Sequence, residues 1–124
     1  MKTAADLPSG ADRPHRAFGF GKVTRPGIYG HVEVTAIPRS APDEVVVEWS
    51  AGCHLCFPPD QWEPVLKATH EVLESARANG QLRCGVLLTI ERGSYTGDGT
   101  VRSAHVEAAR LAVLDALRRG HFIG

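Results

Sequence analysis

The sequence predicts an α+β fold, a two-layer sandwich in which two helices pack on one face of a small mixed β-sheet. Two observations support this class. Short apolar segments with two-residue alternation have the character of strands, and two longer segments repeat their apolar residues every three to four positions, as amphipathic helices do. The predicted order is β-β-α-β-α, and Phe20 marks a candidate additional strand. We expect residues 1–17 to form a disordered tail and residues 18–124 to form a single domain.

Composition narrows the classes of function. The 124 residues contain 14 basic and 14 acidic side chains, and this balance argues against a strong general attraction to nucleic acid or to an anionic membrane. Three cysteines cannot complete a disulfide framework, which fits a reducing compartment. The sequence has no apolar run near the roughly 20 residues that span a bilayer, and because its first residues lack an apolar segment we expect no secretory signal. We therefore expect a cytoplasmic protein with no membrane partner.

The first two strands are predicted from alternation. Within residues 29–37, Val32, Val34 and Ala36 alternate with polar residues, so one face of the strand is apolar. Residues 44–49 are rich in β-branched side chains and form a second predicted strand. Because the connection between the two is short, they are predicted to pair with each other in antiparallel fashion.

The first helix is predicted to begin near Pro59 or Asp60, since Asp60 can cap it and Glu63 can complete a capping box. Asn79 and Gly80 provide the stop signal. Its predicted buried face has the spacing of an amphipathic helix. The residues on that face are Trp62, Val65, Leu66, Thr69, Val72, Leu73 and Ala76.

The remaining elements follow in the last third of the chain. A third strand is predicted over residues 84–91, with a glycine-rich loop after it at residues 93–100. Ser103 is suited to cap a second helix that ends near Arg119, where arginines complement the helix dipole. The inward residues of this helix are predicted to be Val106, Ala109, Val113, Leu114 and Leu117.

Three segments resemble domain IV of translation elongation factor G and the related ribosomal protection proteins. Residues 27–32, GIYGHV, are similar to the family's GQYGHV, and residues 59–66, PDQWEPVL, to its entry into the first helix. Residues 93–95 match its GSY. The resemblance extends over residues 22–117. It implies the ribosomal protein S5 domain 2-like fold with a left-handed βαβ crossover, although most parallel crossovers are right-handed.

In that family the domain is a protrusion whose tip loops reach the decoding centre and contact RNA. The resemblance therefore implies a non-catalytic module that binds a ribosomal, RNA or protein partner through the loops at residues 24–30 and 93–102. The chain has no GxxxxGK[ST] phosphate-binding loop, so it has no GTPase site of that kind. The family's tip glutamine and histidine fall on Ile28 and Thr96. The implied contact residues are Arg25, Tyr29, His31, Arg92, Ser94, Tyr95, Thr96 and Arg102.

Individual roles follow from the same residues. Tyr95 is the candidate for stacking on a base. Arg92 and Arg102 flank the glycine-rich loop, which either holds a phosphate at the start of the second helix or forms a flexible tip. If the family geometry applies, Arg25 and Arg39 lie near one edge and form a basic rim. The sequence leaves the identity of the partner and the oligomeric state open.

A CxxC motif, Cys53-His54-Leu55-Cys56, offers an alternative function. At a helix N-terminus its thiols would be acidified, which suits a thiol-disulfide oxidoreductase, and cysteines also bind metals. However, Pro58 and Pro59 separate the motif from the predicted helix, and no proline follows that helix to supply the second half of a thioredoxin-like site. We therefore expect Cys53 and Cys56 to lie in an inert loop and Cys84 to be a small buried residue at a strand start.

The histidines give no catalytic pattern. His31 and Glu33 share one face of a strand and could form an acid–base pair, but without an assigned nucleophile we interpret them as a solvated face. His70, His105 and His121 are predicted to lie on helix surfaces. The sequence does not settle whether the chain is an enzyme, and we expect no catalytic residues and no cofactor.

Overall fold

The computed structural model describes residues 13–41, 44–55, 62–96 and 103–123. Its elements follow the order β-β-β-α-β-α, which confirms the α+β class, and the candidate strand near Phe20 is the first strand. No helix in the described part of the chain is long and apolar enough to cross a membrane. The elements are β1 (Ala17–Arg25), β2 (Ile28–Arg39), β3 (Val45–Leu55), α1 (Trp62–Ala78), β4 (Gly85–Thr96) and α2 (Ser103–Arg119).

The four strands form one sheet in the order β1-β2-β4-β3. β1 and β2 form an antiparallel hairpin whose turn contains Gly27, at a φ of 75° that favours glycine. β4 lies between β2 and β3, antiparallel to the first and parallel to the second. The predicted direct pairing of residues 29–37 with residues 44–49 is therefore wrong. β4, like β2, is an interior strand, and its Val86, Leu88 and Ile90 are fully buried.

Three other boundaries differ from the prediction. β4 continues through Thr96, so the first half of the predicted loop at residues 93–100 is strand that pairs with β2. β3 extends to Leu55, which places Cys53 in a strand and not in a loop. The folded unit also begins before residue 18, because Ala17 is buried in β1 and the His15 amide donates to the Gly120 carbonyl at 2.9 Å.

The core lies between one face of the sheet and the two helices. The predicted inward faces of both helices are confirmed in substance, since most of their described residues are buried or packed against the core. The opposite sheet face, which we call the outer face, lies away from both helices. The core residues with no exposed area and the largest side chains include Val32, Val34, Val65, Leu73, Val86, Leu88, Ile90, Val113, Leu117 and Phe122.

Helix α2 packs closely on β1 and β2 because the facing positions are small. A Cβ added at Gly19 would lie 2.6 Å from the Ala116 Cβ, and one added at Gly30 would lie 2.7 Å from the backbone nitrogen of His105. Since Gly19 and Gly21 lie on the inner face of β1, the large side chains that alternate with them, Phe18, Phe20 and Lys22, project from the outer face. The helix surface that meets these strands is a stripe of fully buried alanines with four-residue spacing: Ala104, Ala108, Ala112 and Ala116.

His105 lies in the first turns of α2 and is fully buried, so its predicted place on the surface is wrong. Its backbone nitrogen lies next to Gly30, where the absence of a side chain on β2 lets the helix approach. Burial lowers the pKa of His105 because the charged imidazolium loses its hydration. His70 is exposed and His121 is half-buried.

Candidate partner-binding site

One end of the domain, which we call the tip, combines the β1–β2 turn, the end of β4 and the start of α2. In the register, Arg25 pairs with Ile28, and Tyr29 pairs with Thr96. The Arg25 guanidinium donates to Glu107 of α2 at 2.8 Å, which ties the hairpin to the helix. The two predicted contact segments, as far as they are described, therefore lie at the same end of the sheet.

Arg39 does not belong to the tip. It lies at the other end of β2, opposite Gly85, so the expected common edge with Arg25 is wrong. Its guanidinium forks onto Glu44, with nitrogen–oxygen distances of 2.7 and 3.1 Å. This pairing raises the pKa of Arg39 and lowers that of the Glu44 carboxyl, in each case chiefly through the hydrogen bonds. Arg102 lies outside the described residues, as does the Tyr95 side chain.

Next to the tip, the outer face carries a cluster of rings and a cation, which we call the aromatic surface: Phe18, Phe20, Lys22, Tyr29 and His31. Phe18 is 49% exposed and Phe20 is 41% exposed. The His31 ring lies between two others, with its centroid 5.7 Å from that of Phe20 and 6.0 Å from that of Tyr29. The Lys22 ammonium lies 5.8 Å from the Tyr29 ring centroid, within cation–π range.

A chain of polar contacts fixes the orientation of His31. Its Nδ1 is 2.5 Å from the Ser94 hydroxyl, and its Nε2 is 2.9 Å from a Glu33 carboxylate oxygen. The other Glu33 oxygen is 3.7 Å from Arg92 Nε. With Nε2 protonated, the ring donates to Glu33 and accepts from Ser94. His31 and Glu33 therefore contact each other, and the side chains of both are less than one-fifth exposed, so their interpretation as a solvated face is wrong.

A β-bulge brings Ser94 and Arg92 into this chain. Across the β2–β4 ladder, Glu33 faces Arg92 while Val34 faces Ile90, so Glu91 is an extra residue on β4. Without the bulge, the alternation that buries Ile90 would also turn Arg92 and Ser94 toward the helices. With it, both side chains lie on the outer face beside His31.

The contacts of His31 with Ser94 and Glu33 resemble those among the groups of a serine hydrolase. This grouping was not predicted from the sequence because 63 residues separate His31 and Ser94. The arrangement here suits a different task. Acyl transfer also needs donors for an oxyanion and a concave site that excludes water. Ser94, His31 and Glu33 lie on the outer face of adjacent strands. The contacts therefore hold the imidazole ring in position within the aromatic surface.

The cations near the tip differ in their pairing. Arg25 and Arg92 each have a glutamate within 4 Å, at Glu107 and Glu33, so part of their charge is already balanced. Lys22 forms no ion pair with any described residue and contacts Tyr29 instead. The Arg92 side chain is 61% exposed, so it remains accessible to an anionic partner despite its neighbour.

Phe18, Phe20 and Lys22 were not among the contact residues predicted from the sequence. The signal is present in the segment Phe18-Gly-Phe-Gly-Lys22, where a large residue alternates with glycine. Such alternation indicates a strand whose bulky side chains share one face and whose other face can contact a backbone closely. The remaining implied contact residues stay predictions, because a position on the tip does not by itself demonstrate binding.

The structure gives partial information on the thiols. Cys53 belongs to β3, while Cys56 and the Cys53 side chain lie outside the described part. Cys84 immediately precedes β4 and is half-buried, and burial is the main cause of its raised thiol pKa. Among the described residues, no three His, Cys, Asp or Glu side chains are grouped closely enough to hold a metal ion.

Comparisons with known proteins support the fold alone. No protein-family model matches the chain, and no curated protein matches it. Among solved structures, it is similar to a protein from Thermus thermophilus, with a TM-score of 0.61 and 22% sequence identity. The likeness covers 93% of this chain and 18% of the Thermus chain, so this chain corresponds to less than one-fifth of that protein. A domain with this architecture therefore also occurs within a much longer polypeptide.

Proposed function

We propose that this chain is a non-catalytic cytoplasmic module, similar to domain IV of elongation factor G, that binds single-stranded RNA. The contact surface in this proposal is the aromatic surface together with the adjacent tip. The observation that carries it is the exposure of Phe18 and Phe20 beside Lys22 on a sheet face that no described helix covers. A loop of ribosomal RNA is the class of ligand suggested by the family resemblance.

Sheet surfaces with exposed rings suit unpaired bases. Proteins that bind single strands stack successive bases on aromatic side chains and place cations along the backbone. Phe18 and Phe20 alternate on one strand, so their rings lie on the same face about 7 Å apart along it. Such a spacing matches bases that are splayed apart. The ring of His31, held by Ser94 and Glu33, extends the same platform toward Tyr29.

The charges near the site predict modest affinity with a shallow salt dependence. Lys22 belongs to the aromatic surface and the exposed Arg92 lies beside it, while the net charge of the chain is zero. Each phosphate contact on a single strand contributes about −0.7 to the slope of log K against log salt. Two contacts give a slope of about −1.4, much less steep than that of a strongly basic protein. Most of the binding energy would then come from stacking.

The test is fluorescence anisotropy with a labelled single-stranded RNA of mixed sequence at low salt. Phe20→Ala should weaken binding by about 1–3 kcal/mol, roughly 5- to 150-fold, because one stacking ring is lost. Leu111→Ala is the matched control, since Leu111 is an equally exposed apolar residue, at 42%, on α2. This control should bind RNA like the parent chain.

A charge reversal tests the electrostatic part. Lys22→Glu should weaken RNA binding and reduce the salt slope by about 0.7. Lys67→Glu makes the same change on α1 and should leave RNA binding unchanged. If the parent chain does not bind RNA at low salt, or if Phe20→Ala binds as tightly as the parent, the proposal is wrong. A protein partner would then be the better explanation for the exposed rings.

A further inference from the structure

The two edges of the sheet differ in how they are protected. At the β1 edge, the Phe20 amide donates to the Asp115 carboxylate of α2 at 3.0 Å. A side chain of the helix therefore occupies a backbone donor that could otherwise pair with another strand. Asp115 is itself held by Arg119 at 2.8 Å, so this cover is ordered. At Phe20, the β1 edge is therefore closed to pairing with another strand.

The β3 edge has the opposite character. The Val86 amide donates to the Glu44 carbonyl at 2.8 Å, which sets the phase of the parallel ladder with β4. In a parallel ladder the residues of one strand alternate between pairing with the neighbour and pointing away. Val45 and Val47 therefore direct their backbone groups outward. This edge runs through three successive valines and carries no proline or lysine to block pairing.

A groove lies beside this edge, between β3 and α1. Its volume is about 670 Å³, and valines of β3 and Leu66 of α1 form its apolar part. Val46, at the edge, is 36% exposed, and no described element covers the groove. Its helical rim bears charged and polar side chains in one-turn steps. These rim residues are Glu63, Lys67, His70 and Glu71.

We propose that two copies of this chain associate through this edge, with β3 antiparallel to β3 of the other copy about a two-fold axis. The product is a continuous eight-stranded sheet with four helices on one face. The outward backbone groups of Val45 and Val47 then pair across the axis. The grooves of the two copies adjoin at the axis, and each is lined by Leu66 of its own copy. A two-fold arrangement needs only one self-complementary surface, and this edge provides it.

The charges on the groove rim favour a second copy over an unrelated segment. Along α1 the rim alternates in sign, with Glu63 and Glu71 each one turn from Lys67. When a two-fold axis sets α1 against α1 of the other copy, each lysine lies within one turn of a glutamate on the opposite helix. Since Glu71 already pairs with Arg110 at 3.1 Å, Glu63 is the carboxylate best placed to accept Lys67 of the other copy.

The test is the solution mass of the full chain, measured by sedimentation velocity from about 1 to 500 μM. The parent chain should rise with concentration from 13.4 kDa to twice that mass. At high concentration, hydrogen exchange should slow at the Val45 and Val47 amides. A chain that stays at 13.4 kDa throughout, or a dimer in which these amides exchange unchanged, overturns the proposal. A purely monomeric chain would leave this edge for an extended segment of another protein.

Two variants localise the interface. In an antiparallel pairing, Val46 lies across from Val46 or Glu48 of the other copy, so Val46→Glu places like charges opposite each other in either register. We expect at least a tenfold weaker dimer, with unchanged circular dichroism because Val46 is an edge residue. Leu111→Glu makes the same change at an exposed apolar position on α2 and should leave the dimer intact. Equal dimerisation of the parent and Val46→Glu would contradict the proposal.

A charge exchange gives the sharpest result. Lys67→Glu leaves the rim with three glutamates and no lysine, and Glu63→Lys gives it two lysines and one glutamate, so each variant alone should dimerise at least tenfold more weakly than the parent. Mixed in equal amounts, the two should form a heterodimer as stable as the parent dimer. Lys22→Glu, on the outer face, should dimerise normally while losing RNA affinity. If the mixture shows no gain over the separate variants, the proposed pairing of α1 with its copy is wrong.

Discussion

The close packing of α2 on β1 can be tested by adding one methyl group. At Gly21, a Cβ would lie 2.5 Å from the Ala112 nitrogen and closer still to the Ala108 carbonyl oxygen. Both atoms belong to the backbone of a regular helix, so neither can move without the helix. Gly21→Ala therefore forces α2 away from the sheet along the line of its alanine stripe.

The size of the effect follows from this geometry. Non-bonded carbon contacts are optimal at roughly 3.5–4.0 Å, so the helix must retreat by at least about 1 Å. A gap of that size removes about a quarter to a half of the attraction at each contact it opens. Overpacking of this kind costs about 1–3 kcal/mol, and rigid backbone neighbours place Gly21→Ala near the upper end, about 3 kcal/mol. For a domain with a total stability of about 5–15 kcal/mol, the melting temperature should fall by roughly 10 °C.

The assay is urea and thermal unfolding followed by circular dichroism. Gly27→Ala is the control, because Gly27 has a φ of 75° and no atom within 4 Å of an added Cβ. It should cost only about 1 kcal/mol, from backbone strain alone. Where there is no clash and the backbone conformation also suits alanine, replacing glycine by alanine stabilises a chain by roughly 0.4–1 kcal/mol. If Gly21→Ala is as stable as the parent or more so, α2 is not seated on β1 as described.

Two further predictions concern buried and edge contacts. His105 has a pKa lowered by burial, so the unfolded chain binds its proton more readily, and stability should fall as the pH drops below about 6.5. His105→Leu should flatten this slope between about pH 7 and pH 5 in urea titrations, and an unchanged slope would contradict the assignment. Asp115→Ala should cost about 1–2 kcal/mol and speed exchange of the Phe20 amide, whereas Asp115→Asn, which keeps an acceptor, should lose less. Slow exchange in Asp115→Ala would refute the edge contact.

Local sequence patterns were sufficient for the elements and for the inward faces of the helices. The alternation in β2 and the helical spacing in α1 and α2 are local properties, and the buried residues of these elements follow them. The alternating glycines of β1 similarly encode a strand with one bare face. Local pattern did not supply the pairing of the strands, because the partner of β3 comes after α1 in the chain.

The site depends more strongly on tertiary structure. Periodicity alone assigns Ile90, Arg92 and Ser94 to one side of β4, and the bulge at Glu91 separates them. That bulge depends on how β4 aligns with β2, a strand more than 50 residues earlier, and no local preference specifies it. The sequence by itself therefore determined the fold class, five of the six elements and the inward faces of both helices. Only the alignment of distant strands decided which polar side chains contact His31. A shift of one residue in the register of a strand moves its side chains to the opposite face of the sheet.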